Sequence, residues 1–230
     1  MCLEKPVVTS PKILAARAVS PVHGRLAVFG MAVAVAISID LHLRLSSQVS
    51  PIWQTLSEYV YGYLSPGSTA APLFGAMCLA LGFGSLALLG GIAKAHRRGY
   101  ESVLVLLGVW CAGLFVLALV PVDPEGQARS LAGQIHNYAA LAAFLALPAA
   151  AWVLTRPGRA RCPWEPRRTT IRRLSVASFA AVVIVLGGFV WTMLTGPSHQ
   201  EVTLGLFERL LFAVDLTLLA TMVRPLLSHR

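Results

Sequence analysis

Six long apolar stretches separated by short polar connections constrain this chain more than any motif in it. They lie near residues 25–44, 69–93, 102–121, 135–154, 174–195 and 204–223. The hydrocarbon core of a bilayer is about 30 Å thick and takes roughly 20 helical residues to cross. None of the stretches alternates apolar and polar residues as a membrane barrel requires. Lipid offers no partner to unsatisfied backbone groups, so each stretch is expected to be a helix. The expected fold class is all-α: a polytopic membrane protein, a six-transmembrane-helix bundle over residues 25–226, with tails at 1–24 and 227–230. The composition, 56% hydrophobic and 13% charged, agrees, since soluble domains carry about 25% charged residues.

The net charge of +9 has a topological explanation. Lys5, Lys12, Arg17 and Arg25 precede the first stretch, and Lys94, Arg97 and Arg98 follow the second. Arg156, Arg159, Arg161, Arg167, Arg168, Arg172 and Arg173 lie between the fourth and fifth, and Arg224 and Arg230 follow the sixth. In an even-numbered bundle these segments share one side, and the other side keeps Arg44, Arg129 and Arg209. By the positive-inside rule both termini are cytoplasmic. The expected location is the cytoplasmic (inner) membrane as a multi-pass protein, with membrane lipids rather than nucleic acid as partners. The arginine-rich connection, broken by Pro157, Pro163 and Pro166, reads as an irregular linker that touches anionic headgroups.

The cysteines carry no paired spacing. Cys78 and Cys111 sit in apolar runs as small packing residues, and Cys2 and Cys162 fall on the side where disulfides are rare. No apolar signal-peptide region precedes the first stretch, which is expected to serve as its own insertion signal. Gly75, Gly82, Gly84, Gly90 and Gly187 permit close helix packing.

Topology leaves the opposite face unexplained. Asp40, His42, Glu58, Asp123, His136 and Glu208 all fall there. Asp40 and His42, two residues apart, diverge by about 200° on a continuous helix. Either the helix unwinds or only one of them faces inward. The first loop on this face, about 45–68, is expected to hold a short helix from Pro51 to Tyr61, with Trp53, Tyr59, Tyr61 and Tyr63 at headgroup level. Asp123 stands between Pro121-Val122 and Pro124, good turn chemistry or a rigidly aimed carboxylate. His136 opens the fourth stretch just downstream, so the two are expected to be neighbours. Glu208 and Asp215, seven residues apart, share one helix face, with Asp215 about 10 Å deeper. A carboxyl inside a span faces the interior and needs a partner. Either it carries a proton or it bonds a hydroxyl such as that of Ser178, Thr192 or Thr217.

The order of these features resembles the bacterial and archaeal membrane family catalogued as domain of unknown function 998. They are an acid and a His ending the first span, Ser57-Glu58-Tyr59, Pro121-x-Asp123-Pro124, His136, and Gly205-x-x-Glu208-Arg209. The resemblance covers Arg25 to Arg224 and implies a six-span bundle without a settled activity.

Four functional classes follow from the residues. A hydrolase acting on lipid-like substrates would hold a divalent metal such as zinc on His42, Asp123 and His136. Glu58 would be its general base, and Glu208 and Arg209 would complete the catalytic set, Arg209 binding a phosphate or oxyanion. A metal-free version would use Ser57 as nucleophile and His136 as base. A proton-linked transporter would use Asp215 and Glu208, and haem held by His42 and His136 would serve electron transfer. A structural or accessory protein would use the cluster only to tie helix ends together.

Overall fold

The computed structural model describes residues 21–63, 69–95, 99–123, 130–156, 163–195 and 203–227, with the backbone alone at 61–63, 192–193 and 195. Several expectations lie outside these residues: Cys2, Cys162, the tail before Pro21, Pro157, residues 124–129, Arg97 and Arg98, and the side chains of Tyr61, Tyr63 and Thr192.

Six helices form, each long and apolar enough to cross a membrane. They are α1 (Pro21–Leu45), α2 (Ala70–Ala95), α3 (Glu101–Leu119), α4 (Leu131–Leu154), α5 (Arg168–Thr195) and α6 (Leu204–Leu227). Among the described residues there is no strand. Each helix packs on the next in sequence, α6 returns to α1 to close the ring, and α6 also touches α2 and α4. The helices alternate in direction, so α2, α4 and α6 begin at the end of the bundle where α1, α3 and α5 finish.

Large apolar side chains fill the interior: Leu88, Ile92, Leu107, Trp110, Leu147 and Leu218 are fully buried. The ring's outer surface is apolar too. Phe29, Leu43, Leu119, Val183 and Leu194 are exposed, as expected where the solvent is lipid rather than water. With no hydrophobic drive between helices in lipid, close backbone approach supplies packing. The α1–α2 contact uses it most. A Cβ on Gly30 would stand 2.5 Å from the Ala80 carbonyl oxygen and 2.7 Å from the Gly84 Cα.

The end carrying the C terminus of α6 is held by Trp164, fully buried beside Tyr100, whose indole N–H donates to the Met222 carbonyl at 2.8 Å. The other end carries the polar residues.

Candidate functional site

The first loop at the polar end is built around two carboxylates. Residues 51–54 form turns, closed by Gln54 N–H donating to the Ser50 carbonyl at 2.9 Å and Ser50 N–H donating to Gln54 Oε1 at 2.8 Å. The helix expected from Pro51 starts instead at Ser57, as a 3-10 turn over Ser57–Tyr63. The physical reason is at its start: Glu58 Oε2 accepts from both Thr55 N–H and Thr55 Oγ1, which pins the chain before Ser57 in a non-helical path. Glu208 Oε2 reaches out from α6 and accepts Leu56 N–H at 2.5 Å.

Backbone contacts complete the docking of this loop on α6. Gly205 and Leu206 N–H groups donate to the Trp53 and Ile52 carbonyls at 3.3 and 3.0 Å. These are donors that the first turn of a helix would otherwise leave unsatisfied. The loop runs so close that a Cβ on Gly205 would overlap the Gln54 carbonyl. Arg209 donates through Nη1 to the Gln54 and Gly205 carbonyls at 2.7 and 2.9 Å, and its guanidinium lies 5.3 Å from the centre of the Tyr59 ring. Arg209 therefore tethers the loop and does not line the site. Tyr59, expected at headgroup level, is buried, and its hydroxyl meets His42 Nδ1 at 2.8 Å.

The connection from α3 to α4 is anchored at both of its described ends. Helix α3 ends at Leu119 with an extended Val120, and Pro121 follows. Asp123 accepts from Ser130 N–H at 2.8 Å and from Ser130 Oγ at 2.5 Å, while Ser130 Oγ in turn accepts Gly133 N–H at 3.0 Å as the N-cap of α4. His136 answers with Nδ1 against the Val120 carbonyl at 2.7 Å. A carbonyl only accepts, so Nδ1 carries the proton and a neutral ring keeps its lone pair on Nε2. That nitrogen has no hydrogen-bond partner among the described residues. His136 is buried and stacks on Phe74 with ring centroids 6.5 Å apart.

A cavity of about 510 Å³ opens between these two structures. Its mouth carries Thr55, Ser57, Glu58, Asp123, His136 and Glu208, with Asn137 beside them. Below the mouth it is apolar, reaching Leu81, Trp110, Phe144 and Val182. Phe144 is thirteen residues into α4 and Val182 thirteen residues from the end of α5, about 20 Å at 1.5 Å per residue. Tyr138, Leu186 and Val190 line the cavity and are also exposed, so it communicates with the surroundings of the bundle along the α4–α5 seam.

The expected residues thus divide. Glu58, Asp123, His136, Glu208 and Ser57 share one mouth. Asp40 does not join them: α1 stays helical through Leu45, so Asp40 turns outward to Arg44 Nε at 2.8 Å while His42 turns inward. His42 stops at Tyr59 and does not line the cavity. Among the described residues no three His, Cys, Asp or Glu side chains are gathered as a metal would need. His42, Asp123 and His136 are each turned to protein partners instead. Of the two histidines expected as a haem pair, His136 lines the cavity and His42 does not.

Asp215 is buried two turns below Glu208, accepts Ser178 Oγ at 2.6 Å through Oδ1, and leaves Oδ2 without a partner among the described residues. Thr217 is turned to the Ala213 carbonyl, and Asp215 does not line the cavity. Asn137 and Thr55 are mouth residues that sequence reasoning passed over; the one signal for Asn137 was its place beside His136. Cys78 and Cys111 are buried and free, and Cys78 lies against the cavity.

Fold and site together define a class, a six-helix bundle of membrane-spanning helices with an amphipathic cavity open at one end. Within it, the chain belongs to the family described as "Protein of unknown function (DUF998)", whose model matches residues 20–224. No curated protein and no solved structure matches the chain.

Proposed function

We propose that this chain takes a lipid-like amphiphile into the cavity and hydrolyses it at the polar end, on the extracytoplasmic face, with His136 as general base. The carrying observation is the cavity's division into a polar mouth and an apolar shaft with an opening toward the membrane along α4–α5. Its volume of about 510 Å³ falls in the ~300–1,000 Å³ range of ligand sites. An apolar tail in the shaft would leave the first polar bond of the molecule at the level of His136.

The chemistry available there is general-base hydrolysis. Nε2 takes a proton from water as its oxygen bonds to an ester or amide carbonyl carbon. As the tetrahedral species collapses, the imidazolium returns that proton to the leaving oxygen or nitrogen. Asn137 supplies side-chain N–H donors for the developing oxyanion. No step needs Arg209, whose Nη1 is committed to the Gln54 and Gly205 carbonyls.

A second reading has its own support. Asp123, Glu58 and Glu208 each accept backbone N–H groups of a loop, as a purely structural tie would. The two readings part at His136, whose Nε2 ties nothing. Bicelle-reconstituted protein would be tested against fluorogenic long-chain esters and amides beside His136→Asn. Asn keeps an N–H for the Val120 carbonyl and lacks the base. Turnover by the parent, lost in a folded variant, supports the hydrolase. Equal turnover in both, or none in either, leaves the structural tie.

A further inference from the structure

The end of the bundle opposite the cavity mouth carries a cation that the described residues leave unpaired. Between Trp152 and Val176 they hold Arg156, Arg167, Arg168, Arg172 and Arg173 against one acid, Glu165. Glu165 is taken by Arg168, Nη1 to Oε1 at 3.3 Å. Arg172 follows Arg168 by four residues, so the two share one face at the start of α5. Like charges at that spacing repel. An anion between them would turn the repulsion into attraction.

A run of arginines alone is a solvated face. Arg172 differs from its neighbours because it is positioned. It is half-buried, and its guanidinium carbon lies 4.7 Å from the centre of the Trp152 ring on α4. Such a stack pre-orients the planar group. Among the described residues it pairs with no carboxylate and makes no hydrogen bond, and its Nε is buried without a partner. A helix C-terminus could complement a cation. At the end of α4, however, the Ala151, Trp152 and Val153 carbonyls already accept from Thr155 and Arg156. An oriented guanidinium with open donors, on a face short of acids, is the complement of an oxyanion such as phosphate.

The surroundings name the source of that phosphate. Trp152 is exposed, and an exposed indole at a helix end suits the boundary between headgroup and tail. Leu145, two turns back on the same face of α4, is exposed, as are Val176 and Val183 on the α5 face that carries Arg172. Both rows run from the arginine toward the middle of the membrane. We propose that Arg172, stacked on Trp152, binds the phosphate of an anionic lipid in the leaflet at this end. Arg168 stands one turn further out on the same face, and the tails follow Leu145, Val176 and Val183. The head is anionic rather than zwitterionic, because an ammonium would find only Glu165 on this stretch, already paired with Arg168.

Native mass spectrometry of the full chain, released from detergent, measures the binding of phosphatidylglycerol and of phosphatidylcholine with the same tails, and of glycerol phosphate as the head alone. Each basic side chain near an anionic surface is worth about fivefold, so with Arg168 and Arg172 both engaged phosphatidylglycerol should bind roughly tenfold or more tightly than phosphatidylcholine. Attraction by charge alone survives a change of Arg to Lys; the planar fork and its stack do not. Arg172→Lys should therefore cut phosphatidylglycerol binding about fivefold or more, while Arg173→Lys, at the exposed position beside it, leaves binding unchanged. Trp152→Leu removes the platform and keeps Arg172, and it should lower binding in the same way. It also decides the matter if Arg172→Lys melts early. Equal binding of the two lipids overturns the site. So does a preference for phosphatidylglycerol that Arg172→Lys and Trp152→Leu keep undiminished while either melts like the parent, which would leave a diffuse basic surface. Glycerol phosphate binding as tightly as the lipid overturns the lipid as the source and assigns the phosphate to a soluble compound.

Discussion

His136 carries the most weight of any single residue because it is pinned by one nitrogen only. The Val120 carbonyl fixes the ring's tautomer and orientation, and the other nitrogen is left for chemistry. His136→Asn should therefore melt like the parent, while any hydrolytic rate falls on the order of 10²–10⁴-fold, the usual contribution of a general base. A variant that loses its fold instead, seen as an early detergent melt, would assign the ring to stability. Asp215 is the contrasting case. Ser178 is buried and supplies the one hydrogen bond Asp215 has among the described residues, at 2.6 Å. Interhelical bonds in lipid contribute about 0.6 kcal/mol on average and at most about 1.7, while a carboxylate within a span costs about 2.5–3.5 kcal/mol on insertion scales. The cost exceeds the bond. Ser178→Ala should lower stability by about 0.6–1.7 kcal/mol, whereas Asp215→Leu should leave it equal or higher. Equilibrium unfolding in SDS-bicelle mixtures checks both. A large loss on Asp215→Leu would mean that the carboxyl holds α5 to α6.

At the level of elements, the apolar stretches located all six helices, and the starts of α2, α3 and α6 to within a residue, but not those of α4 and α5. The fourth stretch reads from Ile135, yet α4 starts at Leu131, because Ser130 caps it and Asp123 holds Ser130. The fifth reads from Leu174, yet α5 starts at Arg168, since arginines carry a helix well beyond the apolar core. Hydropathy registers lipid; caps register backbone, and only the second ends a helix. The 3-10 turn at Ser57 was hidden for the same reason: Glu58 and Glu208 hold the loop from outside its own sequence pattern. Glycine spacing was equally silent about partners. Gly30 and Gly84 touch across α1–α2, while Gly187 has nothing within 4 Å of a would-be Cβ. Gly30→Leu should then cost about 1–3 kcal/mol or more, as overpacking does, and Gly187→Leu should cost nothing measurable. The same unfolding assay reads the pair. Equal melts for the two would mean that α1 shifts freely on α2.

The whole molecule explains why the site was half legible. Threading six spans through a bilayer was enough to collect Glu58, Asp123, His136 and Glu208 at one end, because depth follows from residue number along a helix. It left azimuth open, and azimuth decided the rest: Asp40 turned out to Arg44, His42 stopped at Tyr59, and Arg209 turned under the loop. The cavity itself has no sequence signature, being the space that five helices leave between apolar faces. The proposal that this end is the extracytoplasmic one rests on charge. Among the described residues the opposite end holds Arg25, Lys94, Arg156, Arg167, Arg168, Arg172, Arg173 and Arg224, and the cavity end holds Arg44 and Arg209. Lys and Arg resist translocation, so the richer end is expected to stay in the cytoplasm. In a background with the native cysteines replaced, Ser47→Cys sits on the exposed loop after α1 and Arg224→Cys near the far end of α6. A membrane-impermeant maleimide added to intact cells should label the first and reach the second only after permeabilisation. The reverse pattern would open the cavity to the cytoplasm, and the substrate would then have to be sought among inner-leaflet amphiphiles.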